Sequence, residues 1–108
     1  MRSRVSLSVV AVLASQALAQ SFEVPAELWD RPRTARAVLE QESVKRAMGA
    51  ALAKPEAQIV IHHGAGQEPL VQAEELRSWL AALAIDSRRT ILRADAAPGA
   101  PITLEIAP

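Results

Sequence analysis

The sequence has 108 residues, half of them apolar, with twelve basic and twelve acidic residues and no cysteine. This composition is typical of one small globular domain, and it excludes a disordered or fibrous chain and a domain held together by disulfides. The balanced charge also excludes the surplus of lysine and arginine with which nucleic-acid-binding domains neutralise phosphates, so we expect no nucleic-acid partner.

Residues 1–19 have the three-part pattern of a secretory signal peptide. Arg2 and Arg4 form the positive start, an apolar run follows, and a small-x-small cleavage site ends at Ala19. The apolar run is about half as long as the roughly 20 residues that cross a bilayer, so we expect signal cleavage and no membrane span afterwards. Residues 20–108 then form an exported, mildly acidic domain, for which we predict a periplasmic location in association with the bacterial outer membrane.

A short strand and a loop are predicted at the start of this mature domain. Residues 22–24 alternate apolar and polar side chains and are followed by a proline, as at the end of a strand. Residues 26–32 are predicted to form a helical turn or a loop, in which Trp29 covers the core, with a ligand-stacking role as the alternative. A small basic patch follows at Arg31, Arg33 and Arg36. A solvated surface is its simplest interpretation, and an acidic partner or glycan is the alternative.

Helical spacing begins at Thr34, a suitable N-cap, and continues to about Lys54. One apolar stripe consists of Ala35, Val38 and Leu39, and a second, out of phase with it, consists of Val44, Ala47, Met48, Ala51 and Leu52. The change of phase predicts two short helices or one bent helix, with Ser43 as the N-cap of the second segment. Gly49 interrupts the second segment, and we interpret it as a close approach of helix to sheet.

The middle of the chain has the pattern of a strand-helix-strand unit. Residues 58–62 are almost all apolar and β-branched, which predicts a central strand covered on both faces. Gly64, Ala65 and Gly66 provide a flexible exit, and Pro69 suits the first position of the next helix. The apolar residues of that helix have i, i+3, i+4, i+7 spacing and are Leu76, Trp79, Leu80 and Leu83.

Two more strands are predicted after this helix. Residues 90–93 form the first, and a crossover of this length predicts that it runs parallel to the central strand. Residues 95–101 contain two prolines and a glycine, which predicts a turn. Residues 102–106 alternate strictly, which predicts a last, antiparallel strand with Thr103 and Glu105 facing solvent. The predicted fold class is α+β, a two-layer sandwich with the helices on one face of a mixed sheet.

His62 and His63 are the only histidines and the first candidates for a metal site. Successive side chains of a strand point to opposite faces, so the two imidazoles cannot bind one metal while the strand continues. Zinc also takes three or four ligands, and no spaced set of cysteine, histidine or glutamate accompanies the pair. Histidines at a strand end or on the surface are therefore the favoured interpretation, and a metal-dependent enzyme is a distant alternative.

The other patterns that could carry chemistry are weak. Gly64-x-Gly66 between a strand and a helix suits an anion, but the third glycine of a dinucleotide fingerprint and the lysine of a phosphate-binding loop are missing. The sequence has no cysteine and no Gly-x-Ser-x-Gly nucleophile motif. The adjacent Glu74 and Glu75 point about 100° apart on a helix and do not converge on a substrate. We expect neither an enzyme activity nor a cofactor.

Two longer patterns suggest a family. Residues 52–61 lead into the central strand with the sequence LAKPEAQIVI, and the second helix and its exit have the pattern LxxWLxxxAIDxxR over residues 76–89. With Phe22 and Leu28 at the start, these patterns make residues 22–106 resemble a reduced OmpA-like domain. The resemblance implies a βαβαββ two-layer sandwich of the periplasm, whose family binds peptidoglycan.

The same resemblance implies a ligand site and shows how it differs here. The family's Gly-His-Thr-Asp motif falls on residues 63–66, so Gly66 replaces the aspartate that would hold the diaminopimelate group, and Gln72 replaces the arginine that would bind its carboxylate. Neither residue supplies charge-assisted hydrogen bonds, which contribute about 1.5–3 kcal/mol each. The candidate ligand-binding residues are His63, Gly64, Gly66, Gln67 and Gln72.

These observations favour a non-catalytic, exported cell-envelope protein that keeps an OmpA-like scaffold for contacts with another envelope protein, as an interaction or structural module. A peptidoglycan-binding protein with a rearranged site near His63, Gln67 and Gln72 is the alternative.

Overall fold

The computed structural model describes residues 19–108, so all of the predicted signal peptide except Ala19 lies outside the described residues. The described chain forms β1 (Gln20–Val24), α1 (Ala35–Glu40), α2 (Glu42–Ala53), β2 (Gln58–Gly64), α3 (Gln67–Ala82), β3 (Thr90–Ala96) and β4 (Ile102–Ala107). Two 3-10 turns, Ala26–Asp30 and Ser87–Arg89, precede α1 and β3. The predicted α+β class is confirmed.

The four strands form one mixed sheet in the order β1-β4-β2-β3. β2 and β3 are parallel, as the strand-helix-strand pattern predicts, and β4 is antiparallel to both of its neighbours, β1 and β2. Because β2 lies between β3 and β4, the chain that joins these two strands must cross the end of β2. This crossing, residues 97–101, positions the candidate site.

The core lies between the helices and one face of the sheet. Its buried side chains alternate along β2 and β4 and come from the inner stripes of α2 and α3; they include Ile59, Ile61, Leu104, Ile106, Val44, Ala47, Leu76 and Leu80. Val60 is also buried but does not belong to this core cluster, since it points to the opposite face. The helices cover one face of β2, and the strand is nevertheless buried on both faces from Ile59 to Ile61.

The structure resolves the break in helical phase as two helices that meet at Gln41. Thr34 caps α1 as predicted, with its Oγ1 accepting a hydrogen bond from the backbone N–H of Ala37. The predicted cap at Ser43 is wrong, because the Gln41 side chain caps α2 by accepting from the Ser43 N–H at 2.9 Å.

The two predicted apolar stripes differ in burial. Of the first stripe, only Val38 is buried in the core, because α1 has six residues and turns only one side toward the core. Of the second stripe, only Leu52 is exposed.

Helix α3 begins earlier than predicted and ends in a tight turn. Gly66, with φ 117°, is its N-cap, so Pro69 is the third helical residue rather than the first. Leu76 and Leu80 are buried as predicted, and Trp79 and Leu83 are half-buried against them. The helix ends where the N–H of Ile85 donates to the carbonyl of Leu80 at 2.8 Å. Among residues 19–108, no helix combines the length and the apolar character that crossing a membrane requires.

The interpretation of Gly49 as a close approach is wrong. Gly49 is exposed on α2, and a Cβ built there would meet no atom within 4 Å. Since glycine costs about 1 kcal/mol relative to alanine inside a helix, we expect Gly49→Ala to raise the free energy of unfolding by about 0.5–1 kcal/mol. Urea denaturation of the two proteins measures the difference. An unchanged or lower stability would contradict the open, helical surroundings of Gly49.

Candidate functional site

A groove of about 320 Å³ opens at the end of the sheet where β1 and β2 finish and β4 begins. The crossing at residues 97–101 forms one wall, the first turns of α3 form another, and the 3-10 turn Ala26–Asp30 forms a third. The groove is lined by Val24, Ala26, Trp29, Gly64, Ala65, Pro69, Gln72, Pro98, Gly99, Ala100, Pro101 and Ile102. Three other hollows are lined by six residues or fewer, on the flanks of the domain, and each includes charged side chains.

None of the residues that line the groove has an ionisable side chain. The polar side-chain groups among them are the amide of Gln72 and the indole N–H of Trp29. A charged group of a ligand would leave water here without a counter-charge from the lining residues, which costs several kcal/mol. A neutral ligand group loses little free energy when it leaves water for the groove. Apolar walls with a few hydrogen-bonding groups are typical of binding clefts. The groove therefore suits an uncharged, largely apolar segment.

Trp29 is held in place by a network that ties the first 3-10 turn to α3. The guanidinium of Arg33 lies over the indole, 5.3 Å from the ring centroid, and also donates to the Trp29 carbonyl at 3.2 Å. Arg33 donates in turn to both carboxylate oxygens of Glu75, at 2.6 and 3.2 Å, and Trp79 donates to the same carboxylate. Arg33 is thus part of the scaffold rather than of a free basic patch.

The structure brings together two of the five predicted site residues. Gly64 and Gln72 line the groove. Gly66 caps α3, and Gln67 is the exposed first residue of that helix; neither lines the groove. His63 is 4% exposed, and its Nδ1 lies 2.8 Å from the carbonyl oxygen of Gly64. The ring is therefore buried next to a residue that lines the groove but does not line the groove itself. Trp29 packs against the core as predicted, and it also lines the groove, where its indole could stack on a ligand.

On the other face of the sheet, the His62 cluster consists of His62, Asp95 and Glu105. The two ring nitrogens of His62 each meet a carboxylate: Nδ1 lies 2.7 Å from Asp95 Oδ1, and Nε2 lies 2.7 Å from Glu105 Oε1. An imidazole donates from both nitrogens only when it is protonated. The geometry therefore fits an imidazolium between two carboxylates, which ties β2 to both β3 and β4.

The electrostatics of the cluster favour the charged ring. Partial burial acts to lower the pKa of His62 and is the largest single influence, but hydrogen bonds to Glu105 and Asp95, with the charges of both, together outweigh it and raise the pKa above its usual value. The hydrogen bond to His62 likewise lowers the pKa of Asp95. The His62 ring and the Asp95 carboxylate are therefore charged together over a range of mildly acidic pH.

A β-bulge in β3 places Asp95 in this cluster. The register of β2 with β3 pairs His62 with Arg93 and Gly64 with Ala96, so two residues of β3 lie opposite the one residue between them in β2. A bulge of this kind redirects a side chain, and here the Asp95 carboxylate reaches the ring of His62. The sequence pattern predicts a turn at Asp95 and a solvent-facing Glu105. In the structure, β3 continues to Ala96, and both Asp95 and Glu105 bind His62.

The two histidines act separately, as the alternation of a strand predicts. The carboxylates of the His62 cluster lie at opposite sides of one ring and cannot converge on a single ion. In the described part of the chain, no three histidine, cysteine, aspartate or glutamate side chains are grouped so that they could hold a metal.

No protein-family model, no curated protein and no solved structure matches this chain.

Proposed function

We propose that this chain is a non-catalytic module of the bacterial cell envelope, exported to the periplasm, with an OmpA-like βαβαββ scaffold that binds another envelope protein in the groove. The observation that carries the proposal is the lining: a fixed indole, one amide and apolar walls, with no ionisable side chain. An uncharged extended segment of a protein could place apolar side chains against Trp29 and backbone amides near Gln72. Tryptophan is prominent among residues that dominate the energy of protein interfaces.

Peptidoglycan is the second candidate, supported by the position of Gly64 and Gln72 at one groove. The carboxylates of a peptidoglycan stem peptide would need a charged partner, and the lining residues provide none. The neutral glycan would be the part that fits. The protein partner is favoured because the groove has one amide side chain, whereas a sugar presents many hydroxyl groups that each need a hydrogen bond.

A photo-cross-linking amino acid at Ala65, which is exposed and lines the groove, tests the proposal in cells. We expect a discrete cross-link to an envelope protein, and loss of that cross-link in Trp29→Ala and in Gln72→Arg, which adds an unpaired charge. Ala81 is exposed near the far end of α3, about 20 Å from the start of that helix given the rise of an α-helix, and is the matched control position.

Two results would overturn the proposal. One is equal cross-linking from Ala65 and Ala81, which would indicate chance contact. The other is retention on purified sacculi that is lost in Gln72→Ala, which would assign the groove to peptidoglycan.

A further inference from the structure

The crossing at residues 97–101 is fastened at both of its ends by one side chain. It leaves β3 just after Asp95 and enters β4 three residues before Glu105, and these two carboxylates bind the two nitrogens of His62. His62 belongs to β2, the strand over whose end the crossing passes. Backbone pairing of Ala96 with Gly64 and of Ile102 with Val24 also holds the two ends. His62 therefore adds one side-chain tie, through both of its nitrogens, to the segment that contributes residues 98–101 to the groove.

We propose that the groove is gated by pH: protonated His62 holds the 97–101 wall in its binding position, and loss of that proton releases one end of the wall and weakens partner binding. This inference rests on the proposed function of the groove and assigns its regulation.

The chemistry of the imidazole provides the switch. Neutral imidazole has one N–H, so after deprotonation only one carboxylate keeps its donor, and the other meets a nitrogen lone pair. Among residues 19–108, four charged residues share this row of the sheet or lie beside it. On β3 they are Arg93, which pairs with His62 in register, and Asp95; on β4 it is Glu105; and on β1 it is Glu23, which pairs with Thr103, the β4 neighbour of His62. Of these, Arg93 is the cation that remains after His62 loses its proton, and because it lies on the same strand as Asp95, a pair between the two would not tie β3 to β2.

The four glycines make the proposal measurable without a ligand. Gly64 and Gly99 line the groove, Gly66 caps α3, and Gly49 lies on the exposed side of α2 as an internal control. In protein labelled with ¹⁵N-glycine and ¹⁵N-histidine, we expect the Gly99 amide to shift with the same midpoint as the His62 ring, above about pH 6.5. The Gly49 amide should not move, and in His62→Gln the Gly99 shift should disappear. Gly99 decides the test, because Gly64 adjoins His63.

Asp95→Asn provides a second variant that leaves His62 in place. Because it removes one of the two carboxylates, the midpoints of the His62 ring and of Gly99 should move to lower pH together. A Gly99 amide that ignores the His62 midpoint, or that still titrates in His62→Gln, would overturn the gate.

Cross-linking from Ala65 at about pH 5.5 and about pH 8.5, on either side of the usual histidine pKa, separates the two proposals. A several-fold lower yield at the higher pH supports the gate. Equal yields at both values would overturn the gate and leave the proposed function standing. A titrating Gly99 with no cross-link at either pH would instead overturn the proposed function while the fastening of the wall stands.

Discussion

Replacing Arg89 with alanine is expected to lower the free energy of unfolding by about 2–3 kcal/mol, since hydrogen bonds from a charged donor contribute about 1.5–3 kcal/mol each and some of their acceptors have second partners. Two nitrogens of Arg89 donate to three backbone carbonyls, those of Ala51, Lys54 and Ala57, at 2.8–3.0 Å. These carbonyls belong to the last turn of α2 and to the loop that leads into β2. Arg89 therefore caps α2, and it fixes the start of the central strand from a turn more than 30 residues away.

The neighbouring arginine is a matched control. Arg88 is in the same 3-10 turn, but its side chain is 90% exposed and binds only Asp86, two residues away. Arg88→Ala should leave the denaturation midpoint unchanged, whereas Arg89→Ala should lower the melting temperature by about 10 °C or more for a domain of this size. Arg89→Lys should recover less than half of the loss, because an ammonium group lacks the planar fork that reaches several carbonyls. Equal effects of Arg88→Ala and Arg89→Ala would contradict the assignment.

The elements that the sequence predicts well are those with one clear periodicity. β2, α3 and β4 each have an uninterrupted apolar pattern, and burial follows that pattern at Ile61, Leu76 and Leu104. Element ends were predicted less well, because they depend on contacts that are distant in sequence. Nothing local indicates that Gln41 would cap α2, or that Arg89 would bind carbonyls more than 30 residues earlier in the chain.

Two of the predicted site residues line the groove. Gly64 is named by the strand-to-helix turn and by the family resemblance, and Gln72 by the family resemblance alone. The role of Trp29 depends on Arg33, Glu75 and Trp79, which come together only in the folded domain. Asp95 was missed because the prolines and glycine after it indicate a turn, whereas a bulge extends the strand through it. A bulge depends on register with a neighbouring strand and leaves no fixed signature in one sequence.

The His62 cluster predicts that the domain is most stable at mildly acidic pH. The folded-state pKa of His62 is raised, so the stability that the cluster contributes is fully present below the unfolded value of about 6.5 and is lost as pH rises through the folded pKa. The folded-state pKa of Asp95 is lowered, so its contribution is present above the unfolded value of about 3.9 and is lost as pH falls through the folded pKa. The stability curve should therefore have its maximum between about pH 4 and pH 6.5.

Urea denaturation of the wild type and His62→Gln from about pH 6 upward tests the alkaline side of the curve. At about pH 6 the variant should be less stable by about 1.5 kcal/mol, which is less than two full charge-assisted hydrogen bonds would contribute, because the side chains of His62 and Asp95 are 21% and 52% exposed. As pH rises through the folded pKa of His62, the difference should shrink to less than half, since the wild type then loses the proton that binds both carboxylates. A constant difference would mean that the ring stabilises the domain by packing alone. The cluster would then contribute no pH-dependent tie between β3, β2 and β4, and the groove wall would keep its position whatever the charge of His62.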